Sequence, residues 1–516
     1  MHGVVISANP LKLDVLSHGK CLTICFIVTI TTFQYGLDYA LVGGFLSMPG
    51  FLRVYGYYDP QLQEWNIDPT VQQLISSLMT VGTFTSSLLV GPFSSYFGRK
   101  VGLWAASSLN FVATAIMLGM SVGWFLTFSQ LYVHEVAPAH LRGIAFAVYQ
   151  AQLSIGSITG AAVDYGTHNM DSRRAYQIPL AVFFAAPTIQ SIALVSFPES
   201  PRWLAVKGRG EEAEAALRKL RNRRIDEGEL RSELSEIQKS TREQVERNKK
   251  ALLLEMWRGT NLRRTLLSIA VVCFHSANGS SWTNIYTTYY LQIAGVANPF
   301  GFSLMITCMG LLGGLFSICF VRYLGRRTII LVGVSACGLA QLAQAVAWSV
   351  KPGSEAAGQV VITFIALFTF FYVAYAPFAW LLGGEYPNSA LRGYCFGFAT
   401  ALNFVGNWLG TFTAPYFINP ASLGWGPMYG YIWSASNLVV VVFTWFFLPE
   451  TQDRTLEEIH EMFEAKIPTR KFKTHVCTGV ERYATEAGES TDTKGEKADV
   501  IHVTSAGGEH RISAAA

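Results

Sequence analysis

The stretch Pro198-Glu199-Ser200-Pro201-Arg202-Trp203-Leu204 opens the only long charged segment that precedes the C-terminal tail of this 516-residue chain. Between Lys207 and Arg264 the chain carries sixteen Lys or Arg residues and eleven Asp or Glu residues. An apolar block lies on each side of this segment, and the second block ends in the similar phrase Pro449-Glu450-Thr451. The pattern indicates two hydrophobic halves that are joined by a polar connector.

Composition places both blocks in a membrane. Hydrophobic residues make up 51% of the chain and charged residues 14%, whereas a soluble domain carries about 25% charge. The apolar runs reach the roughly 20 residues that a helix needs to cross a bilayer, and they lack the alternation of barrel strands. A soluble protein with these runs would need many buried helices without a charged outer face. We therefore predict an all-α, multi-spanning membrane protein.

The apolar runs predict about twelve spans, six in each half. The first half contains Cys21 to Met48, Val71 to Pro92, Val101 to Met120, an apolar continuation to Val136, Ile144 to Val163, and Ile178 to Phe197. The second half contains 265–293, 300–321, 328–349, 359–383, 393–416 and 427–448. The predicted organisation is an N-terminal segment (1–19), a first half (20–197), a helical connector (198–264), a second half (265–448) and a tail (449–516). We expect the tail to be disordered after about residue 478, because few apolar residues remain there.

The connector and both termini are expected to be cytoplasmic, because Lys and Arg concentrate in loops that are not translocated. Residues 1–19 lack the features of a cleavable signal, so the first span itself should target the chain. The eight Cys residues show no metal-binding spacing, and the polar segments contain no nucleophile–base pair or phosphate loop. We therefore expect no enzymatic activity, no metal or other cofactor, and no nucleic-acid partner.

The two halves repeat each other. The same short motifs occur in the same order: Gly98-Arg99-Lys100, Glu135 and Arg142-Gly143 in the first half, and Gly325-Arg326-Arg327, Glu385 and Arg392-Gly393 in the second. The Glu-to-Arg step is seven residues both times (135 to 142, 385 to 392), and the Arg-to-Pro step is 56 and 57 residues (142 to 198, 392 to 449). Halves related by an axis along the membrane normal place a substrate site between them near the bilayer midplane.

One interval breaks the repeat. Gly98 to Glu135 spans 37 residues, whereas Gly325 to Glu385 spans 60. As helix, the residues from Val101 to Val136 rise about 54 Å, and two crossings of the hydrocarbon core need about 60 Å before any turn. The third and fourth spans are therefore predicted to be shortened, with a tight hairpin or a re-entrant fourth helix.

These motifs together resemble the sugar-porter branch of the major facilitator superfamily over about residues 20–465. The resemblance also rests on Arg454-Thr455-Leu456-Glu457-Glu458, and Asn407-Trp408-Leu409-Gly410 and Gly424-Trp425-Gly426-Pro427 are similar to fungal members. It implies a fold of two six-helix halves that transports a sugar or sugar-like solute by alternating access, coupled to protons. The plasma membrane is the location that it favours.

The resemblance assigns a cytoplasmic gate, in which Arg and Glu residues pair across the two halves and lock the outward-facing state. The matching positions are Arg99, Glu135, Arg142, Glu199, Arg326, Glu385, Arg392 and Glu450. A topological role would explain the Arg residues alone, because Glu contributes little to topology. Ser95 and Arg322 stand where the family carries an acidic residue, so we expect a depleted network.

The resemblance also places a solute site at mid-membrane, where amides and an aromatic face would bind a sugar. The matching positions are Gln150, His275, Ser276, Ser281, Tyr286, Trp380, Asn403 and Asn407. Taken singly, each of these residues is explained as well by helix packing. Family members often carry amides on the seventh helix, where His275, Ser276 and Ser281 stand here, which leaves open a solute other than a common hexose.

Asp38 is the only acid in the first span, and acids inside a membrane are costly and usually functional. It matches the proton-binding Asp of proton-coupled members, and the alternative is an Asp at a wet helix end. Those members place an Arg opposite it, near the start of the fourth helix, but no Lys or Arg lies between Lys100 and Arg142 here. Without a cation the carboxyl should keep its proton, so coupling should fail or weaken.

We hypothesise that the chain is a shortened version of a working porter, produced by a deletion, an alternative splice or a misread exon. A truncated transporter with impaired transport is therefore one alternative function. A nutrient receptor of the same fold, which binds solute without net transport, is another. Receptors of that kind carry long cytoplasmic tails, whereas the segment after Pro449 has about 67 residues here.

Overall fold

The structure is a computed structural model that describes residues 19–475, apart from 61–63, 113–114, 138–141, 171, 222–227, 229, 232, 236, 239–252, 389–390, 453 and 455. The predicted disordered tail lies outside the described residues. Helices dominate the described part of the first half: α1 (Gly19–Val28), α2 (Ile30–Phe45), α3 (Pro49–Tyr55), α4 (Pro69–Phe97), α5 (Arg99–Val112), α6 (Ala115–Val136), α7 (Arg142–Thr167), α8 (Arg174–Val182) and α9 (Ala185–Ser196).

A short antiparallel hairpin of β1 (Tyr57–Asp59) and β2 (Glu64–Asn66) lies between α3 and α4, with Tyr58 opposite Trp65. We call the side of the molecule that bears this hairpin the hairpin side. The opposite side bears the connector helices α10 (Pro201–Val206) and α11 (Gly210–Leu220), and we call it the connector side.

The second half repeats the arrangement. Its helices are α12 (Gly259–Ala277), α13 (Ser280–Ile293), α14 (Pro299–Leu324), α15 (Arg326–Val350), α16 (Glu355–Glu385), α17 (Arg392–Ile418) and α18 (Gly430–Phe447), followed by α19 (Leu456–Glu464). Short 3₁₀ turns lie at Leu253–Trp257, Gly426–Tyr429 and Thr469–Lys471.

Eight helical stretches in the described part of the chain are long and apolar enough to cross a membrane. The pairs α1–α2, α8–α9 and α12–α13 each form one interrupted span, and the remaining long helices complete six spans in each half. The prediction of an all-α fold with about twelve spans is therefore confirmed. Capping explains where several helices begin: Asp68 accepts a hydrogen bond from the Thr70 N–H at 2.8 Å, and Asn298 accepts one from Gly301 at 2.9 Å.

The first half contains the predicted shortening, and it lies mainly in the third span. The residues from Arg99 to Val136 number 38, whereas their counterparts from Arg326 to Glu385 number 60. Helix α6 has 22 residues, rises about 33 Å and is long enough to cross. The described part of α5, from Arg99 to Val112, rises about 21 Å. At its end Phe111 stacks on Phe184, where the sixth span is interrupted, with ring centroids 6.1 Å apart.

A groove of about 790 Å³ lies between α4, α5 and α6. Nearly all of its walls are apolar side chains, among them Phe93, Tyr96, Leu109, Val112, Met117 and Trp124. The groove fits the expectation that the shortened spans pack less completely than a full-length pair.

The two halves meet on the hairpin side. Asn419 of the second half donates to the Ile67 carbonyl at 3.1 Å and to the Gln72 side chain at 3.3 Å. Tyr286 is hydrogen-bonded to Ser76, and the Tyr289 hydroxyl donates to Asn66 at 3.1 Å. These contacts between the two halves close the hairpin side.

The connector is anchored to the first half. Trp203 and Leu204 of α10 pack with Ala213 and Ala216 of α11 in a small buried cluster. At the end of α11 the Arg221 guanidinium donates to the Val136 carbonyl at 3.1 Å and to Glu233 at 3.0 Å. The predicted domain boundaries stay predictions, and α12 begins at Gly259, six residues before the predicted seventh span.

Candidate functional site

An aromatic cluster lies where α12, α16 and α17 approach each other. The His275 Nε2 atom is hydrogen-bonded to the Tyr372 hydroxyl, and the His275 and Trp380 rings are 5.8 Å apart at their centroids. Trp380 in turn contacts Phe396 at 5.9 Å, edge to face. The Nδ1 atom of His275 is buried and has no hydrogen-bond partner among the described residues. The cluster therefore combines aromatic faces with a free polar atom.

Three more side chains of the second half, one buried and two half-buried, have buried polar atoms that are short of partners. Neither side-chain polar atom of Asn403 has a hydrogen-bond partner within the described part of the chain, and the same holds for Asn407 Oδ1 and Ser281 Oγ. Leaving such atoms unpaired costs about 1–3 kcal/mol each. Hydroxyl groups of a bound solute or water would remove that cost. Four of the predicted solute residues (His275, Ser281, Asn403 and Asn407) thus share the property expected of a polar binding site.

Glycines bring α17 close to the seventh span. A Cβ atom on Gly406 would lie 2.6 Å from Ser276 Oγ, and one on Gly410 would lie 2.8 Å from Ser281 Oγ. Larger residues at these positions would push α17 away from the residues that carry the free polar atoms. Ser276 itself donates to the Cys273 carbonyl at 3.0 Å, so its hydroxyl is already engaged in its own helix.

Two predicted solute residues are placed differently. Tyr286 is buried on the hairpin side, where its hydroxyl contacts Ser76 and the Thr411 carbonyl, so it serves the contact between the halves in this conformation. Gln150 lies half-buried on α7, and the structure gives its side chain no hydrogen bond to the cluster around His275. Its role in solute binding stays a prediction.

Hydrogen bonds to Asn278 surround the break between α12 and α13, and the sequence patterns did not reveal them. Gly279 has a φ of +83°, a conformation that favours glycine, and Asn278 begins the break. The Asn278 amide donates to the Tyr375 hydroxyl at 2.6 Å, while its carbonyl accepts from Gln341 at 3.0 Å. This network holds His275 on one side of the break and Ser281 on the other, which fixes the geometry of the free polar atoms.

The predicted gate residues form two equivalent clusters on the connector side. Arg99 pairs with Glu135 at 2.7 Å, and Arg326 pairs with Glu385. Each pair lies within one half, between the third and fourth spans or between the ninth and tenth. In this conformation, in which the hairpin side is closed, these four residues pair within their own halves. The expected pairing across the halves in the outward-facing state stays a prediction.

Glu199 and Glu450 cap helices. Glu199 accepts from the backbone N–H groups of Arg99 at 3.1 Å and Lys100 at 3.0 Å, at the start of α5. Glu450 accepts equivalently from Arg326 at 3.2 Å and from the following residue at 3.0 Å, at the start of α15. Burial raises the pKa of the Glu199 carboxyl, and its backbone donors oppose that rise. The Pro-Glu motifs thus join the end of each half to its third or ninth helix.

The last two gate residues begin helices. Arg142 starts α7, and its side chain lies outside the described part. Arg392 starts α17 with a half-buried side chain. Their pairing stays a prediction.

Asp38 is buried and bound by two carboxamides. Gln34 donates to Oδ1 from the same helix, and Asn110 of the shortened α5 donates to Oδ2 at 3.4 Å. The ion pairs formed by the described residues do not include Asp38. Asn110 lies near the end of the described part of α5 and brings an amide to the carboxyl. The sequence contained both amides, but no pattern indicated which helix would face Asp38.

Comparison with known proteins places the chain in a family. The family model described as "Sugar (and other) transporter" matches residues 24–463. The major facilitator-type transporter ecdD of Aspergillus rugulosus is 28% identical over 89% of this chain and 90% of its own length. A low-affinity glucose transporter of Kluyveromyces lactis is 26% identical over 85% of this chain and 82% of its own length.

A solved structure shares the fold. The proton:xylose symporter XylE bound to 6-bromo-6-deoxy-D-glucose superposes with a TM-score of 0.68 at 20% identity, covering 87% of this chain and 100% of that structure. The family model spans most of the chain, and the two-half helical fold agrees with it. The chain therefore belongs to the sugar transporter family of the major facilitator superfamily.

Proposed function

We propose that this chain carries a sugar or sugar-like polyol across a membrane by alternating access. The observation that supports the proposal most directly is that the described part of α12, α13 and α17 carries buried polar atoms without partners on His275, Ser281, Asn403 and Asn407, with the Trp380 ring 5.8 Å from that of His275. A polyhydroxylated solute offers donors and acceptors to those atoms and an apolar ring face to the indole. The relatives named for glucose transport support the same class of solute.

The test is uptake of a panel of labelled sugars and polyols by cells that lack their own carriers. We expect at least one solute to enter, and we expect unlabelled competitors of the same class to slow it. Binding without uptake, measured on the purified chain, would instead favour a receptor of the same fold. If no panel member is bound or taken up, the proposed function is contradicted.

The finer part of the proposal concerns the extent of proton coupling, for which Asp38 is the candidate proton-binding residue. The two carboxamide donors stabilise a charged carboxyl far less than an Arg would, and burial opposes the charge. Asp38 should therefore keep its proton throughout the cycle. We infer that solute movement is coupled weakly, or not at all, to proton exchange at this residue.

Asp38→Asn should consequently have a small effect. The amide resembles a protonated carboxyl, so we expect pH-driven solute accumulation to change by less than about twofold, which corresponds to about 0.4 kcal/mol. Accumulation in proteoliposomes with an imposed pH gradient measures this, and solute counterflow without a gradient is the control. Loss of accumulation with intact counterflow would show that Asp38 exchanges its proton despite the missing cation.

The connector side should face the cytoplasm, together with both termini. Lys and Arg outnumber acids in the connector, and such segments stay on the cytoplasmic side. We therefore expect external protease to leave the connector and an epitope at either terminus intact in whole cells, and to cut them after permeabilisation. Cleavage of the connector from outside intact cells would reverse the proposed orientation. The plasma membrane is the proposed location.

The shortened third span is proposed to result from a deletion, an alternative splice or a misread exon. The 38 residues from Arg99 to Val136, against 60 from Arg326 to Glu385, support this origin. Sequencing of transcripts should find a form that is longer between the codons for Lys100 and Glu135. Absence of any longer form, together with proton-driven uptake by the chain as written, would refute it.

A further inference from the structure

A second acid lies inside the membrane region, on α7. Asp164 is 3% exposed, and its Oδ1 atom has no hydrogen-bond partner in the described part of the chain. The ion pairs formed by the described residues do not include it. The fifth span was predicted to end at Val163, one residue earlier, so the sequence patterns gave no reason to single Asp164 out.

Glycines enclose this carboxyl by letting α2 and α7 touch. A Cβ atom on Gly36 would lie 2.1 Å from the Leu153 carbonyl oxygen, so the two backbones are in contact there. A Cβ atom on Gly44, two turns further along α2, would lie 1.9 Å from Asp164 Oδ2. The carboxyl is thus held against the α2 backbone, with no space for a side chain between them.

The enclosed carboxyl lies directly behind the contact between the halves. A Cβ atom on Gly43, the residue before Gly44, would lie 2.4 Å from the Ile285 carbonyl oxygen of α13. One turn beyond Asp164, the His168 ring stacks on Phe300 of α14 with centroids 4.5 Å apart. The end of α2 is therefore wedged between Asp164 and the second half on the hairpin side.

The charged groups on the neighbouring elements lie at the surface or are engaged elsewhere. The His168 Nδ1 atom is 2.7 Å from the Tyr165 carbonyl oxygen, and Arg53 of α3, Arg173 and Arg174 are exposed. Asp38, Tyr286 and Tyr289 are bound as described above, and the Tyr39 ring of α2 contacts the Tyr35 ring with centroids 4.9 Å apart. The ion pairs among the described residues thus give Asp164 no cation to stabilise a negative charge.

We propose that Asp164 is a proton-binding site that makes opening of the hairpin side sensitive to pH. An unpaired carboxylate in an apolar enclosure is costly, so the closed hairpin side holds the neutral acid. Separation of α13 and α14 from α2 and α7 admits water, and the carboxyl then releases its proton to that water. It must regain a proton from the same side before the halves close again.

In this arrangement Asp164 controls the opening of the hairpin side but does not carry protons across the membrane. The carboxyl exchanges with the hairpin side alone, so a cycle leaves no net proton moved. Alkaline medium on that side should hold the hairpin side open and slow the return step. The inference rests on the proposed alternating access, and it adds a control by pH that is independent of Asp38.

The first test measures solute counterflow in proteoliposomes at fixed pH on the connector side and varied pH on the hairpin side. In the parent chain the rate should fall toward alkaline pH by at most about tenfold per unit, the limit for a single proton. Asp164→Asn should remove this fall, Asp164→Glu should retain it, and Asp38→Asn should retain it. A parent pH profile that persists in Asp164→Asn, or that follows pH on the connector side, would overturn the proposal.

The second test needs neither solute nor the Asp164 variants. Spin labels on Met170→Cys and Leu423→Cys, in a chain whose eight native Cys residues are replaced by Ser, report the separation of the halves on the hairpin side. We expect the distance to shift toward the open population as pH rises. A distance distribution that does not change with pH would overturn the proposed pH-sensitive opening. If the distance shifts with pH but no solute is transported, only the proposed function is contradicted.

Discussion

Solute binding should be lost when Trp380 is replaced by alanine, although the protein still reaches the membrane. The indole lies between the His275 ring at 5.8 Å and the Phe396 ring at 5.9 Å, so its removal opens the wall of the proposed site. Millimolar affinity corresponds to about 4 kcal/mol of binding free energy. A loss of about 1–3 kcal/mol, the usual cost of losing a well-placed partner in a buried polar site, takes such binding out of the measurable range.

Gln150→Ala should have the same effect, because it would remove the only amide that the first half was predicted to contribute. Binding is measured by titration calorimetry or by solute protection against thermal unfolding. Trp445→Ala on the exposed face of α18 and Gln177→Ala on the exposed face of α8 are the matched controls, and neither should change affinity. Unchanged affinity in both Trp380→Ala and Gln150→Ala would show that the assigned site is wrong.

Arg326→Ala should lower the free energy of unfolding by about 1.5–3 kcal/mol, the range for losing a hydrogen bond to a charged group, because the Arg326–Glu385 pair is partly buried. Glu385 would keep the Thr451 hydroxyl, at 2.9 Å, and the nearby charge of Arg392. The free energy is measured by reversible denaturant unfolding in detergent micelles. The pair also joins α15 to α16, so its loss should loosen the second half as a rigid unit.

The double variant Arg326→Ala/Glu385→Ala should regain much of that loss, because no charge is left unpaired. Arg209→Ala serves as the control, since Arg209 and Glu212 are half exposed, and such pairs contribute about 0–1 kcal/mol. A double variant as unstable as Arg326→Ala would mean that the Arg side chain acts through packing and not through its charge.

The predicted gate residues show which contacts sequence patterns can predict. Repeated spacing identified Arg99, Glu135, Arg326 and Glu385 as one group, and the structure pairs Arg99 with Glu135 and Arg326 with Glu385. The patterns did not reveal that each pair stays within its own half, because that depends on which side of the molecule is closed. The capping role of Glu199 was also missed, since its donors are backbone N–H groups, which every sequence possesses.

The site was predictable in part for a similar reason. His275 and Trp380 were found from their positions relative to motifs, and the structure brings their rings together. Tyr372, which binds His275, and Asn110, which binds Asp38, were not found, because each is matched to its partner by the packing of separate helices. The break at Asn278 depends likewise on Tyr375 and Gln341, which lie 97 and 63 residues away along the chain.

The short α5 has a consequence for the lipid around the protein. A helix of about 21 Å beside neighbours that cross the full core leaves one flank of the molecule thinner than the bilayer. Lipids along that flank must tilt or compress, and each ångström of mismatch costs a fraction of a kcal/mol. The bilayer along that flank should therefore be thinner than beside a relative with a full third helix.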